Sequence, residues 1–203
     1  MKYQILFIAA FLLQCQTNTQ QRIIAIQPFE DINQVYLDSL KEGLSHSYKS
    51  KVVFLDHIQL PPSTFIKVKT PRYRADKLIA YLKKTKPDSV DYIIGVTQKD
   101  ISTTKRSKNG QIKKPVQRYT DWGIFGLGYR PGPSCILSTY RLKGKGNKTL
   151  IKRIQKVGIH EIGHNLGLKH CPNKTCVMQD AAESIKTIDG VKGSLCKDCK
   201  GAI

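Results

Sequence analysis

The segment HEIGHNLGLKHCPNKTCVM, beginning at His160, gathers three of the five histidines, two of the six cysteines and one of the two methionines into nineteen residues. Imidazoles and thiolates bind transition metals, so their spacing comes first. His160 and His164 stand four residues apart. On a helix, four residues turn through about 400°, which sends both imidazoles out from one face, about 6 Å apart along the axis. That spacing lets the two imidazoles lean together and hold one ion through Zn–N bonds of about 2.0–2.1 Å. Glu161 brings a carboxylate to the edge of the ion's open position without occupying it. An H-E-x-x-H helix of this kind supplies a zinc hydrolase with two ligands and a general base.

Gly167 follows His164 by three residues, where the helix has to end if His170 is to return as a third ligand. Glycine accepts the left-handed backbone that such a stop demands. Three neutral histidines leave zinc its full charge and a fourth position open to water, whose pKa falls on the metal to about 7. The expected chemistry is hydrolysis with Glu161 as the base.

The remaining metal-binding residues have a spacing of their own. Cys171 and Cys176 form a loose pair, and Cys196 and Cys199 a C-x-x-C pair. Four thiolates so arranged make a closed tetrahedral zinc site of structural type. Disulfides compete with that reading, above all in an exported protein. A bridge between Cys196 and Cys199 would close a very small, strained loop, which favours the metal. The expected cofactor is zinc, two ions per chain.

H-E-x-x-H-x-x-G-x-x-H, completed by Asn165 and Leu166, resembles the metzincin metalloproteases. With C-x4-C-x-M-x17-C-x-x-C behind it, the stretch from His160 to Cys199 resembles the archaemetzincin family. Weaker resemblance extends upstream through RYRADKLI, DYIIGVTQKDI and ILSTYRL. The resemblance implies a zinc peptidase acting on peptide or protein substrates, with a cleft below a mixed sheet. It implies that Met178 lies on a tight turn beneath the three histidines. It also implies a substrate extended along an edge strand, with CILSTYRL expected in that role. Tyr140 and Arg141 are weaker candidates for lining the cleft.

These residues need a scaffold. RIIAIQPF, KVVFLDH and VDYIIGVT read as strands. INQVYLDSLKEGLSHSY and RADKLIAYLKKTK carry apolar residues at helical spacing, the first with Asp31 as a possible cap and the second stopping before Pro87. WGIFGLGY and SCILSTYRL are glycine-punctuated strand candidates, and KTLIKRIQKVGIHEIGHNLGL is the longest helical pattern. The stretch from Ser102 to Lys114 reads as a polar loop. The expected fold is α/β (α+β): a metzincin-like domain over residues 22–203 with one mixed twisted sheet, packed helices and a long active-site helix. His46 and His57 fall to surface or packing roles, and Cys135 to a small buried apolar one.

At 203 residues the chain can bury a real core. Its 34 basic residues against 15 acidic ones give a net charge of +19, which attracts anionic partners. No aromatic residues interleave with the basic run from Lys99 to Arg118 as base stacking would require, so nucleic acid is not the expected partner. A zinc-stabilised binding protein using this basic surface on nucleic acid or envelope polymers is the alternative function, and Glu161 argues against it, because a scaffold needs no base. Lys2 and the apolar run ILFIAAFLL resemble a signal peptide over residues 1–15, too short to span a bilayer. Cys15 then stands where a lipidated cysteine would, ahead of a polar tether over residues 16–21. Gln14 departs from that pattern, which usually has a small residue there. The expectation is a cell-envelope location with lipid on Cys15.

Overall fold

The computed structural model describes residues 21–144, 146–181 and 184–203. The leader and Cys15 lie outside the described residues. Five strands form the main sheet: β1 (Ile23–Pro28), β2 (Lys51–Phe54), β5 (Tyr92–Thr97), β8 (Gly126–Gly128) and β9 (Ser134–Ser138), in the order β2-β1-β5-β9-β8. All run parallel except β8, which pairs antiparallel with β9 and forms one edge. A smaller sheet joins β3 (Phe65–Lys67), β4 (Pro71–Arg74), β6 (Ile101–Thr103) and β7 (Trp122–Ile124) in the order β3-β4-β6-β7.

The central strands are apolar on both faces because helices cover both faces. Ile24, Ile26, Ile94, Val96 and Leu137 point to the side of α1 (Gln34–Tyr48) and α4 (Asn147–Asn165). Ala25, Ile93 and Ile136 alternate to the other side, where α2 (Ala75–Thr85) packs through Leu78, Ile79 and Leu82. Helix α4 crosses α1 closely at Gly158, where a β-carbon would collide with Leu40. The chain closes with α5 (Ile185–Gly190) and α6 (Lys197–Gly201), while α3 (Val116–Tyr119) is a single turn before β7.

Three expectations need correction. There are two sheets among the described residues, not one. Asn33 caps α1, its side chain accepting from the Val35 amide at 2.9 Å, rather than Asp31. CILSTYRL does not supply the edge: β9 is sandwiched between β5 and β8, and the sheet ends at β8. The strand outside β9 is the one that precedes it in the chain, the glycine-rich GLG segment, which turns back through residues 129–133 into β9.

Candidate metal centre and catalytic cleft

Helix α4 carries His160, Glu161 and His164 on its last two turns, and Gly167 ends it. Gly167 has φ +95, its amide donates to the His164 carbonyl at 2.9 Å, and the Leu168 amide donates to the Gly163 carbonyl at 2.9 Å. This pair of bonds satisfies the last carbonyls of the helix and reverses the chain. His170 is thereby brought back, its ring centroid 5.3 Å from that of His160 and 4.9 Å from that of His164.

One nitrogen from each of the three histidines lies within 4.8 Å of the other two. Tetrahedral ligands on Zn–N bonds of 2.0–2.1 Å stand roughly 3.3 Å apart, so small side-chain rotations suffice to close on an ion. Two of the rings are already aimed. His160 Nδ1 is 2.9 Å from the Val177 carbonyl, and His164 Nδ1 is 2.8 Å from the Leu168 carbonyl. A carbonyl can only accept, so each Nδ1 carries the proton and each Nε2 keeps its lone pair for a metal. Burial, helped by His164, holds His160 down to about 4, and burial lowers His164 as well. Both are neutral at neutral pH, as ligands must be. These three residues fit a zinc ion.

The cysteines gather beside them. Cys171 Sγ is 3.8 Å from Cys196 Sγ, and Cys176 Sγ is 3.8 Å from Cys199 Sγ, with all four within 4.8 Å of one another. A tetrahedron with arms of 2.3 Å has edges of about 3.8 Å, whereas a disulfide would need about 2.05 Å. All the described cysteines are free, the buried Cys135 included. Amides of Met178 and Cys196 approach Cys176 Sγ at 3.4 Å, an arrangement suited to a thiolate. The four cysteines therefore fit a closed metal site.

Met178 is fully buried at the joint between the clusters. Its carbonyl accepts from the Cys171 amide at 2.8 Å, and its sulfur lies so close to Gly163 that a β-carbon there would collide with it. Glycine at position 163 thus lets α4 settle onto the segment that supplies Val177 to His160.

Glu161 is 6% exposed, and burial pushes its carboxyl up to about 8 in the metal-free chain. A divalent cation beside it would draw that value down again. The carboxylate faces a cleft of about 490 Å³, whose other wall includes Phe125 and Gly126, with Val157, Ile188 and Val191 forming an apolar recess. Edge strand β8 touches Glu161 directly: a β-carbon on Gly126 would stand 2.6 Å from Glu161 Oε1, and one on Gly128 would stand 2.9 Å from the Glu161 carbonyl. Asn165 fastens this strand to the helix, its Nδ2 donating to the carbonyls of Tyr129 at 3.0 Å and Ser134 at 2.9 Å.

Residues 17–203 match the Peptidase family M54. The chain belongs to that family. It is a zinc metallopeptidase. Among curated relatives of this M54 peptidase, the archaemetzincin of Halobacterium salinarum is 26% identical, covering 89% of this chain and 98% of that protein. That of Methanocaldococcus jannaschii is 29% identical over 87% and 89%. The crystal structure of archaemetzincin from Archaeoglobus fulgidus, solved with malonate, matches with TM-score 0.70 and 26% identity, covering 89% of this chain and 99% of that one. The Methanopyrus kandleri structure shares the fold, with TM-score 0.73 at 22% identity, covering 91% of this chain and 94% of that one.

Within this M54 peptidase, some expected residues stand away from the cleft. Tyr140 is exposed in a short 3-10 turn beyond β9, and Arg141 pairs with Asp100. His57 lies near the Glu30 carbonyl at 2.9 Å, and His46 ends α1 at the surface. Neither the contact of Gly126 and Gly128 with Glu161 nor the anchoring bonds of Asn165 is singled out from sequence. The repeated glycines of WGIFGLGY were the available signal, since glycine within a strand marks a close backbone approach.

Proposed function

We propose that this metallopeptidase cleaves peptide bonds with Glu161 as general base, His160, His164 and His170 as the catalytic metal ligands, and a second, structural zinc on Cys171, Cys176, Cys196 and Cys199. The observation that carries the reading is the joint position of Glu161 on α4: beside the imidazoles of His160, His164 and His170 in one cleft, and against the face of edge strand β8 at Gly126 and Gly128. Zinc on the histidines would supply a Lewis acid that polarises the scissile carbonyl and brings the pKa of a water molecule down to about 7. Glu161 takes up a proton on its carboxylate as the water oxygen attacks the carbonyl carbon. It gives that proton to the amine nitrogen as the C–N bond breaks. The backbone of β8 offers an extended peptide one more strand partner, and the apolar recess of Val157, Ile188 and Val191 offers a side-chain pocket. Attachment to the cell envelope through lipid on Cys15 belongs to the same proposal and is carried by the leader sequence alone.

The competing function, a basic binding scaffold without peptidase activity, is not favoured, since family membership and a buried base facing a cleft both favour the enzyme. The deciding experiment compares the wild type with Glu161→Gln on a library of proteome-derived peptides, with elemental analysis of both. Glu161→Gln keeps size and shape but cannot take up the proton. It should retain two zinc ions per chain and lose at least about a hundredfold in turnover. Equal turnover by the two proteins would overturn the role of Glu161, and a single zinc per chain would overturn the cysteine site.

A further inference from the structure

A second recess opens beside the catalytic cleft, and Phe125 lines both. It holds about 440 Å³ and is walled by Lys69, Arg72, Arg118 and Arg141, with Asp121 and Trp122 completing it. Acids neutralise only part of this charge. Arg141 turns Nε and Nη2 onto Asp100 at 2.6 and 2.8 Å, and Arg72 reaches Asp100 at 2.8 Å and Asp121 at 3.2 Å. Among the described residues no carboxylate pairs with Arg118 or Lys69. Lys69 donates to the Arg118 carbonyl at 2.9 Å, which leaves its remaining ammonium protons available.

The cations are also held in place before any ligand arrives. The Arg118 guanidinium lies over Trp122 and Tyr119, 5.1 and 5.6 Å from their ring centroids. Arg141 passes over Gly123, where a β-carbon would collide with its guanidinium. A fixed guanidinium presents its donors as a planar fork, the geometry that suits a carboxylate.

The recess has a defined position relative to the reaction. Gly123 precedes Gly126 by three residues with a bend at Phe125 between them, so the two are at most about 10 Å apart, and Phe125 lines both the cleft and the recess. A peptide pairing antiparallel with β8 would run from Gly128 toward Gly126. Its residues beyond the bond at Glu161 would then continue toward Gly123 and the recess. We infer that this recess is a carboxylate subsite, selecting peptides with an acidic group three or four residues beyond the cleaved bond, on the side of the amine product. Either a Glu or Asp side chain or the peptide's own C-terminus offers that chemistry. The inference rests on the peptidase reading of the cleft, with its substrate along β8.

The test uses quenched fluorescent peptides with one cleavable core. They carry Glu or Gln at the third or fourth residue beyond the cut, and end in a free acid or an amide. The wild type should prefer a carboxylate by on the order of tenfold in kcat/KM, and Arg118→Gln should bring that ratio near one. Lys84→Gln, which removes an equal charge from the exposed face of α2, should preserve the ratio. Preference for the Glu side chain in amidated peptides assigns the subsite to side chains, and preference for the free acid alone assigns it to the C-terminus. No preference, or an undiminished one in Arg118→Gln, overturns the inference. If neither peptide is cleaved, the peptidase reading fails separately, and anisotropy of the labelled peptides then decides. Tighter binding of the acidic peptide, lost in Arg118→Gln, sustains the subsite, whereas equal binding or none removes it.

Discussion

Gly126 and Glu161 touch without an intervening side chain: a β-carbon on the glycine would stand 2.6 Å from the carboxylate Oε1. The strand available to a peptide and the group proposed to move its proton are therefore set at a distance fixed by the absence of one methyl group.

Gly126→Ala tests that spacing. Position 126 has ordinary strand backbone, so alanine adds no conformational strain of its own. The methyl group must push either β8 or the carboxylate aside. We expect a loss of about tenfold to a hundredfold in kcat/KM, because small displacements of reacting groups are costly. Zinc content and melting temperature should stay close to wild type. Unchanged kinetics would show that the strand does not set the position of Glu161.

The buried carboxyl also predicts a pH signature. In the metal-free chain burial raises Glu161 from the ordinary value of 4.5 to about 8. The folded state then holds a proton that the unfolded state has released. Stability from this group is complete below the unfolded value and is lost as pH rises through about 8. Glu161→Gln removes the titration. After brief chelation that empties the histidines, urea unfolding of the variant and the wild type should agree near pH 5. The variant should become the more stable protein as pH rises toward 8. His160 titrates in the opposite sense but cancels in the comparison, since both proteins carry it. A constant difference across that range would contradict the burial assigned to Glu161.

Arg153 offers a third test, this time of the cleft wall. Its side chain is 3% exposed and pairs with Asp189 through two bonds of 2.7 Å, tying α5 to α4. Asp189→Ala would leave a buried guanidinium without its acid, at a cost of roughly 3 kcal/mol or somewhat more. Arg153→Met with Asp189→Ala should recover much of that loss. Chemical denaturation of the two single variants and the double variant measures the coupling, and additive effects would refute it.

Much of the candidate site's arrangement was legible in the sequence because its spacing is local. His160 and His164 share one helical face by spacing alone, with Glu161 at its edge, and Gly167 carries its positive φ in its identity. The long parallel strands were legible too, since burial on both faces makes them continuously apolar. The small sheet was not, because PRYR, IST and WGI are too short and too mixed to show alternation. The edge strand was misassigned for a related reason. SCILS is the more apolar segment, and that marks a strand enclosed on both sides, whereas an edge can be as sparse as GLG. The contact between Gly126 and Glu161 joins segments 35 residues apart, and no local pattern encodes such a meeting.

An unpaired strand edge is also exposed to the sheets of other molecules, and joining sheet to sheet is how aggregation begins. β8 limits that hazard by its own shape. It is three residues long, the chain bends at Phe125 on one side of it, and the segment leaves the sheet after Gly128 on the other. A second copy could gain only a short run of backbone bonds there, against the mutual repulsion of chains carrying +19 each. The same brevity is no handicap for a single flexible peptide, which needs only a few bonds near the metal. The open edge thus admits a strand without inviting a sheet.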